Sequence, residues 1–226
     1  MSVAQRWTPT PGQLSFMKAA LFALCLVPLA LLVLDWDRDA LGANPIEAVA
    51  HATGAWTLRF LLITLAITPL RRLTGLHWLL RLRRMLGLFA FAYGVAHLLA
   101  YVWLDQYFDW TAIAMDILKR PYITVGFVAL VLMTPLALTS NNRMIRQLGG
   151  RRWQALHRSV YAIALLGVVH FWWLVKADVL DPLIYAVILA GLLGIRAWWR
   201  QQERIRQLST PPGAPPGRRV IRIAAR

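Results

Sequence analysis

The chain has 226 residues, 58% of them hydrophobic, a formal net charge of +15 and a single cysteine. A mean hydropathy of +0.52 is too high for a water-soluble domain of this length, so lipid must cover much of the surface. The basic residues lie between apolar runs instead of in one patch, which argues against nucleic-acid binding, and the lone Cys25 rules out an internal disulfide or a thiolate cluster.

In chain order, residues 14–34 form an apolar run with no short core followed by a cleavage site, and they read as an anchor that stays. Five further stretches, 55–70, 85–104, 121–138, 157–175 and 183–199, approach the roughly 20 apolar residues that a membrane helix needs. The links alternate in charge. Asp35, Asp37, Asp39 and Glu47 follow the first span; Arg71, Arg72, Arg81, Arg83 and Arg84 follow the second. Asp105, Asp109 and Asp116 follow the third, Arg143, Arg146, Arg151 and Arg152 the fourth, and an Arg-rich tail the sixth. Because Lys and Arg are retained in the cytoplasm, the pattern predicts an all-α membrane bundle of six helices with both termini cytoplasmic. Tryptophans such as Trp36, Trp78, Trp103 and Trp173 fall near the expected span ends, where an amphipathic ring prefers to sit. Residues 1–13 form a cytoplasmic N-terminal segment, residues 14–199 the membrane domain, and residues 200–226 a basic, Pro/Gly-rich cytoplasmic tail, disordered around STPPGAPPG.

Two histidines sit inside spans, His97 in the third and His170 in the fifth. An ionisable group in hydrocarbon needs a partner, a cavity or a cofactor. These two spans run in the same direction, and His97 lies 13 positions after Arg84 just as His170 lies 13 after His157. At about 1.5 Å per residue both are about 20 Å from the basic edge, level with each other. Two level imidazoles on neighbouring helices suit the two faces of a haem iron, although packing between helices is the plainer reading of either one alone. Gly94 and Gly167, one turn before each histidine, leave room for a flat porphyrin or simply let helices approach. His157, at the basic edge, could ligate a second haem, but only Arg83, Arg84 and Met85 stand opposite on the third span. On an ideal helix its side chain points roughly 140° away from that of His170. Arg59, about 18 Å from the basic edge, is a candidate partner for a haem propionate, and snorkelling is its alternative. His51, at the acidic end of the second span, is a candidate for a quinone pocket or a docking surface, or an interfacial residue of no special role; His77 is expected to be solvated.

The segments NPIEAVAHATGAWTLRFLLITLAITPLRR, RRMLGLFAFAYGVAHLLAYVWL, RPYITVGFVALVLMTPLALTS and GGRRWQALHRSVYAIALLGVVHFWW resemble the MsrQ (YedZ-type) family. Its members are haem-bearing membrane subunits of the bacterial periplasmic methionine sulfoxide reductase, within the ferric-reductase-like transmembrane superfamily. The resemblance spans nearly the whole chain. It implies a multi-pass protein of the bacterial inner membrane that carries electrons from quinol or a cytosolic flavin reductase to a periplasmic molybdenum enzyme of the MsrP type. That partner, and not this chain, would reduce methionine sulfoxide in oxidised envelope proteins. The resemblance also implies haem b on His97, His157 and His170, and an FMN for which the sequence shows no motif. Larger relatives attach a FAD- and NADPH-binding domain after the membrane core; about 27 residues after Trp199 are too few for one βαβ unit, so electrons must come from another carrier.

Two other functions remain open on the residues. A quinol-linked ferric or cupric reductase fits the acidic links, which would attract cations. A cofactor-free small transporter or assembly factor would use the histidines for proton transfer or packing, although no broken-helix pair is evident; Pro69 and Pro135 read as lying near span ends, where proline is tolerated.

Overall fold

The computed structural model describes residues 8–175 and 179–209; the link at 176–178 and the segment 210–217 of the expected disordered tail lie outside the described residues. Among the described residues every regular element is helical. Six helical stretches are long and apolar enough to cross a membrane, namely Pro11–Asp37, Pro45–Thr74, Arg83–Asp105, Pro121–Leu138, Gly150–Leu174 and Leu180–Ser209. Their outward faces carry exposed Leu24, Leu31, Val131 and Val187, so the chain is a multi-pass membrane protein.

Local signals set the helix ends. Helix α1 (Pro11–Asp37) starts on a capping box in which Thr10 Oγ1 accepts from Gln13 N–H while Gln13 Oε1 accepts from Thr10 N–H, with Pro11 in the first turn. Helix α2 (Pro45–Thr74) starts on Asn44 with Pro45 behind it and stops at Gly75, whose φ of 74° is the left-handed conformation that glycine adopts without strain. It begins ten residues earlier than expected, so His51 sits within its second turn. Helix α3 (Arg83–Leu99) runs into a π-helical segment, Ala100–Asp105. The link that follows is not a plain loop: Asp109 caps a short helix α4 (Trp110–Lys119), and α5 (Pro121–Leu138) starts on its own proline. Helices α6 (Asn142–Leu148) and α7 (Gly150–His157) lie at the basic end. The fifth span breaks at Arg158–Ser159 before α8 (Val160–Leu174), so the angle between His157 and His170 counted on one ideal helix does not apply. Helix α9 (Leu180–Ser209) continues ten residues past Trp199 into the expected tail, where Glu203 takes a 2.7 Å salt bridge from Arg72.

The core is a four-helix ring. α3 packs against α2 and α5, and α8 packs against α5 and α2; α9 covers α2 and α8, and α1 leans on α2 and α3. Leu65, Ala90, Ile163 and Ala164 are the most enclosed residues. Two prolines are accommodated inside helices by side chains from neighbours. Pro69 lies inside α2, five residues before its end, and cannot donate to the Leu65 carbonyl four residues back. Arg196 of α9 takes over: its Nη2 donates to Leu65 O, its Nη1 donates to Leu192 O at 2.8 Å, and its guanidinium lies 5.7 Å from the Tyr161 ring centre. In α1, the rung after Pro28 is bridged by the buried Tyr93 of α3, whose hydroxyl accepts from Leu29 N–H at 3.1 Å and donates to Cys25 O at 2.8 Å. In lipid no water can satisfy these groups, so each such bridge fixes a peripheral helix to the ring.

Candidate functional site: an imidazole pair in the helix ring

His97 on α3 and His170 on α8 face each other across the ring, with ring centres 6.1 Å apart and planes 74° apart. Both rings are seated in the same way. His97 Nδ1 lies 2.9 Å from the Ala50 carbonyl on α2, and His170 Nδ1 lies 2.7 Å from the Tyr122 carbonyl on α5. A carbonyl only accepts, so in each ring Nδ1 carries the proton and Nε2 keeps its lone pair. Nε2 of neither ring makes a hydrogen bond among those of the described residues.

Four residues after each of those carbonyls stands a glycine, Gly54 after Ala50 and Gly126 after Tyr122. On a helix the Cβ of residue i+4 leans back toward the N-terminus, over the carbonyl of residue i. A Cβ at Gly54 would come within 3.2 Å of His97 Cε1 and Nδ1, and one at Gly126 within 2.8 Å of His170 Cε1 and Nδ1. Only glycine lets the imidazole lie flat against the neighbouring helix and reach its carbonyl. These two residues escaped the sequence reading; the available signal was a glycine in an adjacent span at the level of each histidine.

The glycines that the sequence singles out, Gly94 and Gly167, lie against neighbouring helices. Gly94 closes on Leu130 and Thr57, where a Cβ would meet Leu130 Cδ1 at 3.1 Å, and Gly167 closes on Leu58 at 3.4 Å. Their contacts are helix-to-helix, the alternative reading, rather than with either imidazole. The structure does not bring Arg59 to the pair: its Nε donates to the Tyr185 hydroxyl of α9 at 2.8 Å and its guanidinium lies over Trp56 at 4.8 Å. His51 is exposed beside α8, edge-on to Phe171 with ring centres 6.4 Å apart. His77, itself exposed, opens a 3₁₀ turn, His77–Arg81.

His157 stands apart from the pair, at the basic end. Its Nε2 is 3.1 Å from Thr139 Oγ1, and Trp153 stacks on its ring at 3.9 Å. It lines a cavity of about 300 Å³ together with Arg83, Arg84, Ser140 and Trp153. Thr64 Oγ1, which lines the same cavity, is buried without a hydrogen-bond partner. Two guanidinium groups and an orphaned hydroxyl make this a place for an anionic, hydrogen-bonding ligand.

The donor set of the pair fits a metal held by two imidazoles. Metal–imidazole bonds are about 2.0–2.1 Å long, so two such rings on opposite sides of one metal atom have centres roughly 6 Å apart. No third His, Cys, Asp or Glu joins them among the described residues.

The family described as "Ferric reductase like transmembrane component" matches residues 53–168, which include His97 and His157. A protein of Azospira oryzae named protein-methionine-sulfoxide reductase heme-binding subunit MsrQ is 60% identical over 215 residues, 92% of this chain and 91% of the relative. Proteins of the same name from Herminiimonas arsenicoxydans and Xanthomonas campestris pv. campestris are 52% and 53% identical, over 87% and 88% of this chain and 91% and 94% of the relatives. No solved structure matches the chain.

Proposed function

The chain belongs to the family of MsrQ heme-binding subunits, within the ferric-reductase-like transmembrane proteins, and from that premise we propose that it is a haem b electron-transfer subunit of the bacterial inner membrane. It carries electrons outward to a periplasmic molybdenum methionine sulfoxide reductase of the MsrP type, which repairs oxidised envelope proteins. The donor in this reading is quinol or a cytosolic flavin reductase. The basic end is cytoplasmic and the acidic end periplasmic, by the retention of Arg and Lys inside.

The observation that carries the reading is the pair of imidazoles 6.1 Å apart with both Nδ1 atoms held by carbonyls. His97 and His170 would hold the haem iron, each through Nε2. Their Nδ1–H bonds to Ala50 and Tyr122 orient the rings and raise their basicity toward the metal. A bound haem supplies a centre that gains and loses one electron without a change in ligands. The enclosing apolar helices exclude water from the ligand nitrogens. The cavity at His157, with Arg83 and Arg84, supports a second cofactor site nearer the cytoplasm; a second haem suits His157, and an FMN would suit the two guanidinium groups.

The test is spectroscopic. Protein purified from haem-replete cells should be red, with a reduced-minus-oxidised spectrum of low-spin bis-histidine haem. His97→Ala and His170→Ala should abolish that signal, and His157→Ala should lower the haem-to-protein ratio without abolishing it. A colourless preparation would overturn the proposal. Reduction of ferric ions that needs no protein partner would favour a metal reductase instead.

A further inference from the structure

The acidic end of the ring carries an exposed aromatic cluster that none of the foregoing uses. After the π-helical segment that continues from His97, the chain turns through Gln106–Asp109 and enters α4. Tyr107 and Phe108 are both in the left-handed region, with φ of 46° and 61°. Bulky side chains seldom adopt this conformation, which is strained for them. The result of that strain is exposure: Tyr107 is 76% and Phe108 49% accessible, and Trp110 beside them is 67% accessible. Phe108 and Trp110 lie against each other with ring centres 6.1 Å apart and planes tilted by 56°.

The turn is fixed to the ligand-bearing helices. Gln106 N–H donates to Tyr101 O, and Phe108 N–H donates to Val102 O, both at 2.9 Å. Tyr101 in turn donates to Asp116 Oδ2 at 3.0 Å, and Asp116 pairs with Arg120, directly before α5, whose Tyr122 carbonyl holds His170. The cluster therefore stands between the helix that bears His97 and the helix that seats His170. It is bordered by acid. Asp105 and Asp109 are exposed, Asp109 capping α4, and Asp35, Asp37 and Asp39 add further carboxylates on the link after the first span. Rigid aromatics at the centre with charge at the rim is the anatomy of a protein interface. An aromatic anchor for the bilayer needs no strained backbone, and the neighbouring carboxylates would repel anionic headgroups.

We infer that Tyr107, Phe108 and Trp110, rimmed by Asp105 and Asp109, form the docking surface for a soluble redox protein that presents a basic rim around an apolar centre. This rests on the proposed function, in which the acceptor is the periplasmic sulfoxide reductase. Opposite charges at such a rim speed encounter and make it sensitive to salt, while the central aromatics hold the complex.

The experiment uses the full haem-loaded chain in nanodiscs and the purified sulfoxide reductase. Two readouts are followed at several salt concentrations: equilibrium binding, and the second-order rate at which the reductase oxidises the reduced haem. Tyr107→Asn with Phe108→Asn removes the aromatics, and asparagine tolerates the left-handed backbone. Asp105→Asn with Asp109→Asn removes the charges and keeps the cap oxygen of α4. The aromatic variant should bind at least tenfold more weakly, and the charge variant should lose most of its salt dependence. Both should keep the wild-type haem spectrum and the wild-type rate of oxidation by dioxygen, which needs no docking. Wild-type affinity and salt dependence in both variants would overturn the inference while leaving the function standing. Failure of the reductase to bind or oxidise the wild-type protein would remove both. If the aromatics anchor in lipid, the aromatic variant would release haem at lower temperature with unchanged reductase binding, and that also overturns it.

Discussion

Replacement of Gly126 by alanine tests the seat of His170 directly. The added Cβ would lie 2.8 Å from His170 Cε1 and Nδ1 and 3.2 Å from Cγ, where nonbonded carbons settle at about 3.5–4.0 Å. The imidazole must therefore retreat by about 0.7–1 Å, or α5 and α8 must part by that amount. Either movement stretches a 2.7 Å Nδ1–H···O bond to Tyr122 beyond hydrogen-bonding range or skews it, and shifts Nε2 by a similar distance. Overpacking of this kind costs about 1–3 kcal/mol in stability, and loss of an orienting outer hydrogen bond costs about 10–100-fold in metal affinity. The haem-to-protein ratio after purification, the haem affinity on titration and the midpoint potential should all change. The low-spin spectrum should weaken or convert partly to high spin. Gly54→Ala, with a closest approach of 3.2 Å to His97, should show the same changes to a smaller degree. Gly191→Ala, on α9 with nothing within 4 Å, should match wild type. Wild-type affinity, spectrum and potential in Gly126→Ala would refute the seating argument, because they would mean that the ring does not depend on the clearance.

Two further substitutions probe the side-chain bridges that hold the outer helices. Arg196→Met leaves the Leu65 carbonyl without a donor, which should destabilise the protein by about 1–3 kcal/mol, read from thermal unfolding in detergent. Adding Pro69→Ala should restore most of that loss by returning the missing N–H to α2; if the double variant is no better than the single one, Arg196 acts otherwise than through this carbonyl. Tyr93→Phe removes the hydroxyl between Cys25 O and Leu29 N and should loosen α1. Faster hydrogen exchange confined to α1, with the haem spectrum kept, is the expected result, and uniform exchange across the ring would contradict it.

The spans were legible in the sequence because length and hydropathy suffice to define them, and the level of His97 and His170 followed from counting along helices that rise by a constant amount per residue. What counting along one helix cannot supply is the identity of the neighbour. Gly94 and Gly167 drew notice because they precede the histidines by one turn, yet they touch Leu130, Thr57 and Leu58 across helix interfaces. Gly54 and Gly126, which do touch the imidazoles, belong to different spans and carry no local mark. Depth along α2 places Arg59 at the level of the pair, but its hydrogen bond to Tyr185 depends on its direction around the helix, which depth does not give. Helix α4 fell below the length of any span, although Asp109 before a polar and apolar mixture is an ordinary helix start. The break before α8 leaves no sequence trace as strong as a proline, so His157 was read on a helix that does not contain it.

The ring arrangement explains why both histidines present the same nitrogen. Each is held by the helix against which its own helix packs most extensively, α3 by α2 and α8 by α5, so ligand orientation follows from helix packing and not from a separate polar network. In hydrocarbon an imidazole N–H has no water to turn to, and a helix carbonyl that already serves its i+4 neighbour can accept a second bond. The i+4 position must then be small, since its side chain would overhang that carbonyl. A carbonyl at i, a glycine at i+4 and a histidine on the packed helix thus form one unit, present twice around the ring. The two copies face each other at the spacing that one metal atom requires, and neither copy can move without moving an entire helix.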